Sequence, residues 1–247
     1  MYGHAIVDEL RRRVAEAGGA PVDSAWSRQA SAVRNQAVVD RVHAVPAPLA
    51  AALPRGGLAG GTVVGLRGDG ATSLLFALLS ATPGSWSALV ALPDLGLLAA
   101  AELGVDLDRV VLVPEPGPEL LQVISILVDG VDVVVAAVAP GVRPAPGRLR
   151  VLGGRLRQRG AVLLTMGAWP EADLVLTSSW RGFTGLGDGH GRLLDRELLV
   201  EVSGRGVGRP RQAVLSLRAS RDAVRVVAGD PAGARPAMDR PVVAAVG

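Results

Sequence analysis

The stretch Thr62-Val-Val-Gly65-Leu-Arg-Gly68-Asp-Gly70-Ala71-Thr72-Ser73 decides how this chain is read. Thr62–Leu66 is a short apolar strand, Gly65–Ser73 a glycine-rich turn, and Leu74–Ser80 opens a helix. Working outward, Ser87–Leu92 reads as a strand, Leu95–Leu103 as a helix and Arg109–Val113 as a strand. Glu119–Val128 reads as a helix with apolar residues on most faces. Val131–Val138 is nearly all β-branched, as expected of a strand covered on both sides in a parallel sheet. Arg148–Arg159 is a helix with Leu149, Leu152 and Leu156 inward and arginine outward, and Ala161–Thr165 is another buried strand. Beyond Gly167 the segments 173–178, 197–202, 213–217 and 223–227 are strand-like, with no long helix between them. They read as antiparallel strands added to the sheet edge. The expected fold is α/β, a mostly parallel sheet flanked by helices with added antiparallel edge strands.

Three regions follow along the chain. Residues 1–50 read as a helical arm and linker, 51–228 as the core domain, and 229–247, rich in Pro, Ala and Gly, as a loose tail. In the arm, Ile6, Leu10 and Val14 recur every four residues over 4–17 until Gly18-Gly19 stops the helix. A second helix is expected near 27–42, ending before Pro46 and Pro48. An isolated helix of ~14 residues is marginal in water, so Ile6, Leu10 and Val14 need a surface, expected on a neighbouring subunit.

Composition narrows the chemistry. Of the 247 residues 49% are hydrophobic and 20% charged, enough for a full core. There is no cysteine, which excludes disulfides, thiolate zinc sites and cysteine nucleophiles. His4, His43 and His190 are scattered and suggest no metal site. All 26 basic residues are arginine, so no lysine can form a Schiff base or hold a phosphate. Residues 1–139 carry 9 Arg against 14 acids, and residues 140–247 carry 17 Arg against 9 acids. That asymmetry predicts a basic face in the C-terminal half, suited to nucleic acid or an acidic partner. The N-terminal stretch is charged throughout, unlike a signal peptide, and no apolar run approaches the ~20 residues of a spanning helix. A cytoplasmic protein with no membrane partner is expected.

The central turn matches part of a phosphate-binding pattern. In G-x-x-x-x-G-K-[ST], Gly65, Gly70 and Thr72 stand at the right spacing with Gly68 between them, but Ala71 replaces the lysine. The backbone cradle at a helix N-terminus can persist without the lysine. The charge that stabilises phosphoryl transfer cannot.

Residues 53–217 resemble the RecA recombinase core. Leu53-Pro-Arg-Gly-Gly57 followed by Thr62-Val-Val-Gly-Leu66 looks like the approach to its P-loop. Leu103-Gly-Val-Asp-Leu-Asp-Arg-Val110-Val-Leu-Val-Pro-Glu-Pro-Gly-Pro-Glu-Leu120 is similar to the segment between its second and third core strands and is the most specific match. The resemblance puts Val131-Asp-Val-Val-Val135 on the Walker B strand and Ala161-Val-Leu-Leu-Thr165 before the second DNA-binding loop. It also exposes departures. Ala136 and Ala137 stand where Walker B should supply an acid, Pro93 and Asp94 where a catalytic glutamate belongs, and Met166 and Gly167 where a glutamine should sense the γ-phosphate. Among reduced RecA relatives the sequence is most similar to the actinobacterial form of the ImuA family. This implies a pseudo-ATPase with no cofactor, acting as an adaptor in SOS-induced translesion DNA synthesis and mutagenesis. The implied partners are ImuB, which resembles a Y-family polymerase, RecA and an error-prone C-family DNA polymerase, with direct DNA binding and self-association also open. The rivals are a SulA-like inhibitor of FtsZ assembly and a residual nucleotide enzyme using Arg67 in place of lysine.

Three surface features remain. Trp180, Arg181 and Phe183 lie close together in a glycine-rich stretch, suited to stacking on bases, to anchoring a protein, or to packing on the sheet as a hairpin. Arg205, Arg209 and Arg211 form a basic turn, either a phosphate-backbone contact or a solvated loop. Arg148, Arg155 and Arg159, flanked by Arg150 and Arg157, form the densest basic stripe, and helix and turn are expected near one edge of the sheet. The acid pairs Asp106/Asp108 and Glu115/Glu119 read as helix caps.

Overall fold

A computed structural model describes residues 41–139, 144–167, 169–170, 172–186, 190–220 and 223–230. The expected helix at 4–17, most of the one at 27–42, and the tail beyond Asp230 lie outside these residues.

The β-branched runs form the centre. Strands β3 (Val63–Arg67), β4 (Ser87–Val90), β5 (Val110–Val113), β6 (Val133–Ala137) and β7 (Val162–Met166) are joined by parallel pairing, together with β8 (Leu174–Leu186). Strands β9 (Gly191–Gly204), β10 (Arg211–Ala219) and β11 (Val224–Ala228) extend this sheet in antiparallel fashion. The order across the nine strands is β11-β10-β9-β8-β3-β7-β6-β4-β5. The α/β expectation holds, with one correction. The 173–178 segment is not antiparallel throughout. β8 runs parallel to β3 and antiparallel to β9, so it is the hinge between the two halves of the sheet.

Both faces of the parallel half are covered, which is why its strands are apolar without alternation. On one face Val64, Leu66, Val133, Val135, Val162 and Leu164 meet α1 (Ala47–Ala50), α2 (Ala71–Ser80) and α3 (Leu97–Glu102). α2 buries Leu74, Leu75, Phe76, Ala77, Leu78 and Leu79 against it. On the other face Val134, Ala136 and Leu163 meet Val123, Ile124 and Leu127 of α4 (Leu120–Leu127) and Leu152 and Leu156 of α5 (Pro146–Arg159). Pro146 opens α5 and left-handed Gly160, φ 66°, ends it.

The expected boundary at residue 50 needs correction as well. Val42 is not helical. β1 (Val42–His43) pairs with β2 (Leu58–Ala59), and Leu49 is fully buried in the core. His43 Nε2 donates to the Gly160 carbonyl at 2.8 Å, and Arg41 bonds Asp132 at 2.7 Å. Residues 41–50 are therefore part of the core. Burial holds the His43 ionisation below its ordinary value of 6.5, against the opposing pull of the bond to Gly160.

Candidate functional site

The turn that invited a phosphate-binding reading is built differently. Gly65 is not at the start of a loop. It is buried within β3, paired with Thr165 on one side and Val175 on the other. Pairing continues through Leu66 with Met166 and Arg67 with Thr177. Only Gly68, Asp69 and Gly70 remain between strand and helix, and α2 begins at Ala71. Gly68 takes φ 92° and lies so close to the Ser178 carbonyl that a Cβ there would collide with backbone. A Cβ on Gly70 would collide with Leu198. Ser178 Oγ donates to the Arg67 carbonyl at 2.9 Å and clamps the loop to β8. The four residues that would wrap a phosphate are thus reduced to two, because the ladder takes Leu66 and Arg67. Thr72 is exposed on the first turn of α2, and Arg67 is exposed at the end of β3.

Around that loop the other expected positions range from buried to exposed. Ala136 is fully buried, and Val138 bonds backbone-to-backbone to Met166. Thr165, also fully buried, directs Oγ1 to the Val64 carbonyl at 3.5 Å. Asp94 is exposed in the turn after β4. Among the described residues no group of three or more His, Asp or Glu is arranged to hold a metal ion.

Trp180, Arg181 and Phe183 lie in β8, not in a turn. β8 and β9 pair well past the end of β3, and the bulge between Trp180 and Gly182 absorbs Arg181. Trp180 is half-buried and packs on the core of the α2 face. Phe183 is 41% exposed, with its ring centroid 5.5 Å from that of Trp180. Arg196, the cross-strand partner of Phe183, sets its guanidinium 5.8 Å over the Trp180 ring. Leu194, next along β9, is 49% exposed. Arg181 donates to the Asp230 carbonyl at 3.4 Å. The result is an aromatic shelf with a cation on it, half anchored and half open. The sequence did not flag Arg196, because its partnership with Trp180 depends on the register of β9 on β8.

On the opposite side of that extension lies a smaller polar hollow lined by Thr184, Asp195, Glu197, Ser216 and Arg218. Glu197 Oε2 is buried there without a hydrogen-bond partner among the described residues.

Three of the five arginines of α5 are paired, two of them to one shared carboxylate. Arg155 and Arg159 both bind Asp129, at 3.2 and 3.1 Å, and Arg148 binds Glu119 at 3.6 Å. Arg155 also donates to the Ser125 carbonyl. These contacts tie α5 to both ends of α4. Glu119 therefore pairs with an arginine and makes no cap hydrogen bond at α4, whereas Asp106 does cap its turn through the Asp108 amide. Arg150 and Arg157 make no ion pair among the described residues, nor do Arg209 and Arg211. Arg205 binds Asp173 at 3.2 Å, and Asp173 also accepts from the Val63 amide.

The turn that carries Arg205 and the C-terminal end of α5 lie at the same edge of the sheet, the first against Asp173 and Val63, the second with Arg157 against Gly61. α5 lies on one face of the sheet, and Trp180 packs on the other. Arg205 sits beside Asp173 at the start of β8, about 20 Å from Trp180 at 3.3 Å per strand residue.

Two comparisons bear on kinship. The family model described as the MT3502 N-terminal domain matches residues 51–171. Rv3395c of Mycobacterium tuberculosis, described as an uncharacterized protein, is 38% identical over 118 residues, covering 47% of this chain and 57% of that protein. The chain thus spans little more than half the length of this relative. The family match runs from the end of α1 past β7 and stops before β8, so the aromatic shelf lies outside it. Among the described residues no helix is long and apolar enough to cross a membrane.

Proposed function

We propose that this chain is a non-catalytic RecA-like adaptor of SOS-induced translesion DNA synthesis, joining ImuB and an error-prone C-family polymerase through protein contacts. The observation that carries the non-catalytic half is the continuous pairing of Gly65, Leu66 and Arg67 in β3, which shortens the turn before α2 to three residues. The absence of lysine at Ala71 and of an acid at Ala136 points the same way. The choice of pathway rests on the similarity of the 103–120 stretch and its neighbours to the ImuA family.

The partner surface in this reading is the shelf of Trp180, Phe183 and Arg196. Interface anchors are enriched in Trp and Arg, and a half-buried ring held by a cation is already ordered before a partner arrives. Copurification from DNA-damaged cells tests the pathway. Recovery of ImuB, RecA or the C-family polymerase supports it, and recovery of FtsZ in their place overturns it in favour of division control.

A further inference from the structure

The starts of β8, β3, β7 and β6 share one end of the sheet, and the turn joining β9 to β10 lies at that same end. The β3–α2 loop lies at the other end, where β3 finishes. Gly204, the last residue of β9, pairs with Leu174, the first of β8. α5 finishes beside them. The backbone of Arg157 lies against Gly61, and Gly61 donates to the Ala161 carbonyl at 2.8 Å. β9 and β3 are two strands apart in the sheet, about 10 Å at about 4.8 Å per strand. Arg157 of α5, Arg205 and Arg209 of the turn, and Arg211 at the start of β10 therefore share one short edge.

The acids at this end already have partners. Asp129 holds Arg155 and Arg159, Asp132 holds Arg41, and Asp173 holds Arg205. Arg157, Arg209 and Arg211 are exposed and make no ion pair among the described residues. The edge thus keeps three uncompensated positive charges. It offers little apolar surface beside them. Val207, the only branched apolar side chain of the turn, is buried, and its amide donates to the Gly204 carbonyl at 3.3 Å. Val207 anchors the turn, while Gly206 and Gly208 face open space. Protein interfaces concentrate their binding energy on aromatic and apolar anchors, and this turn presents none. Guanidinium groups without such a neighbour suit phosphate, which they bind through charge and paired hydrogen bonds.

We propose that this edge binds the phosphate backbone of duplex DNA without reading its sequence, with Arg157, Arg209 and Arg211 as the contacts. Phosphates of one strand recur about every 3.4 Å of helix axis, so an edge of about 10 Å faces about three of them. Contacts of this kind position a protein on a duplex and leave the bases unread. The edge lies at the sheet end away from the β3–α2 loop, so it needs no nucleotide there. It also lies about 20 Å from Trp180, which leaves the aromatic shelf open to a protein while DNA is held. DNA binding here does not depend on which protein the shelf holds.

Fluorescence anisotropy of the full chain with short labelled duplexes of two unrelated sequences tests this. Three phosphate contacts should give a slope of about −2.7 against log salt, so binding weakens about 40-fold between about 50 and about 200 mM. Both sequences should bind alike. The Arg157→Gln, Arg209→Gln, Arg211→Gln variant alters only exposed side chains. It should melt as the parent does, with duplex binding and its salt slope lost. Arg150→Gln is the control. Arg150 is an exposed arginine of α5, about two turns before Arg157, that also makes no ion pair among the described residues. Its loss should leave the slope unchanged. Absence of duplex binding at low salt, a slope that the triple variant keeps, or an equal loss in Arg150→Gln would overturn the proposal. So would a glutamate-rich peptide that binds this edge more tightly than the duplex, since it assigns the edge to an acidic protein.

Discussion

Ser178 closes over Gly68. Its hydroxyl donates to the Arg67 carbonyl at 2.9 Å, and its own carbonyl occupies the place a side chain on Gly68 would need. The glycine is thus required by the close approach of β8. Gly68→Ala should destabilise the protein by about 3 kcal/mol or more, since it combines a positive φ with a backbone collision. Gly84 also has a positive φ, 79°, but faces open space. Gly84→Ala should cost only about 1–2 kcal/mol. Urea unfolding of both variants reads the difference.

Phe183 and Trp180 should separate binding from stability. Phe183 is exposed, and Phe183→Ala should leave the melting temperature nearly unchanged while weakening partner binding by about 2 kcal/mol, roughly 30-fold in Kd. Trp180→Ala should lower both, because the indole packs on the core and carries Arg196. Titration of purified ImuB against each variant, with thermal melts alongside, is the measurement.

The parallel half of this fold was legible because Val133-Val-Val and Val162-Leu-Leu are apolar without alternation, and only a strand buried on both faces demands that. The β8–β9 extension was not. Gly182, Gly185 and Gly191 read as turn residues, and two register irregularities absorb such residues into paired strands instead. The arginines of α5 were visible, but Asp129, in the turn after α4, carried no signal of its pairing with Arg155 and Arg159. Charge counts along a sequence see neither cross-element neutralisation nor which face an element takes. His43 read as an isolated histidine, since its bond to Gly160 spans 117 residues.

Asp129 has a consequence for nucleic acid. Asp129→Ala should release two guanidinium groups on an exposed helix face, at a stability cost below about 1 kcal/mol for each pair. Any duplex DNA binding should then strengthen, and its slope against log salt should steepen by up to about 0.9 for each new phosphate contact. Fluorescence anisotropy across a salt series reads both. An unchanged slope assigns α5 to protein packing alone.

His43 makes stability depend on pH. Its folded ionisation lies below the ordinary 6.5 because burial disfavours the cation. Below about pH 6.5 the unfolded chain therefore binds the proton more readily, and stability falls as pH drops from there through the folded value. His43→Gln removes this contribution and should flatten the stability profile on the acid side of pH 6.5. Urea midpoints measured from pH 7.5 down to about pH 5 test the sign.

The claim that β3 has overrun the nucleotide loop meets its most direct test in calorimetric titration of the purified chain with Mg²⁺–ATP. With Leu66 and Arg67 in the ladder and Ala71 at the lysine position, the account predicts no binding tighter than millimolar and no hydrolysis. Saturable micromolar binding with turnover that is lost in Thr72→Val would contradict it.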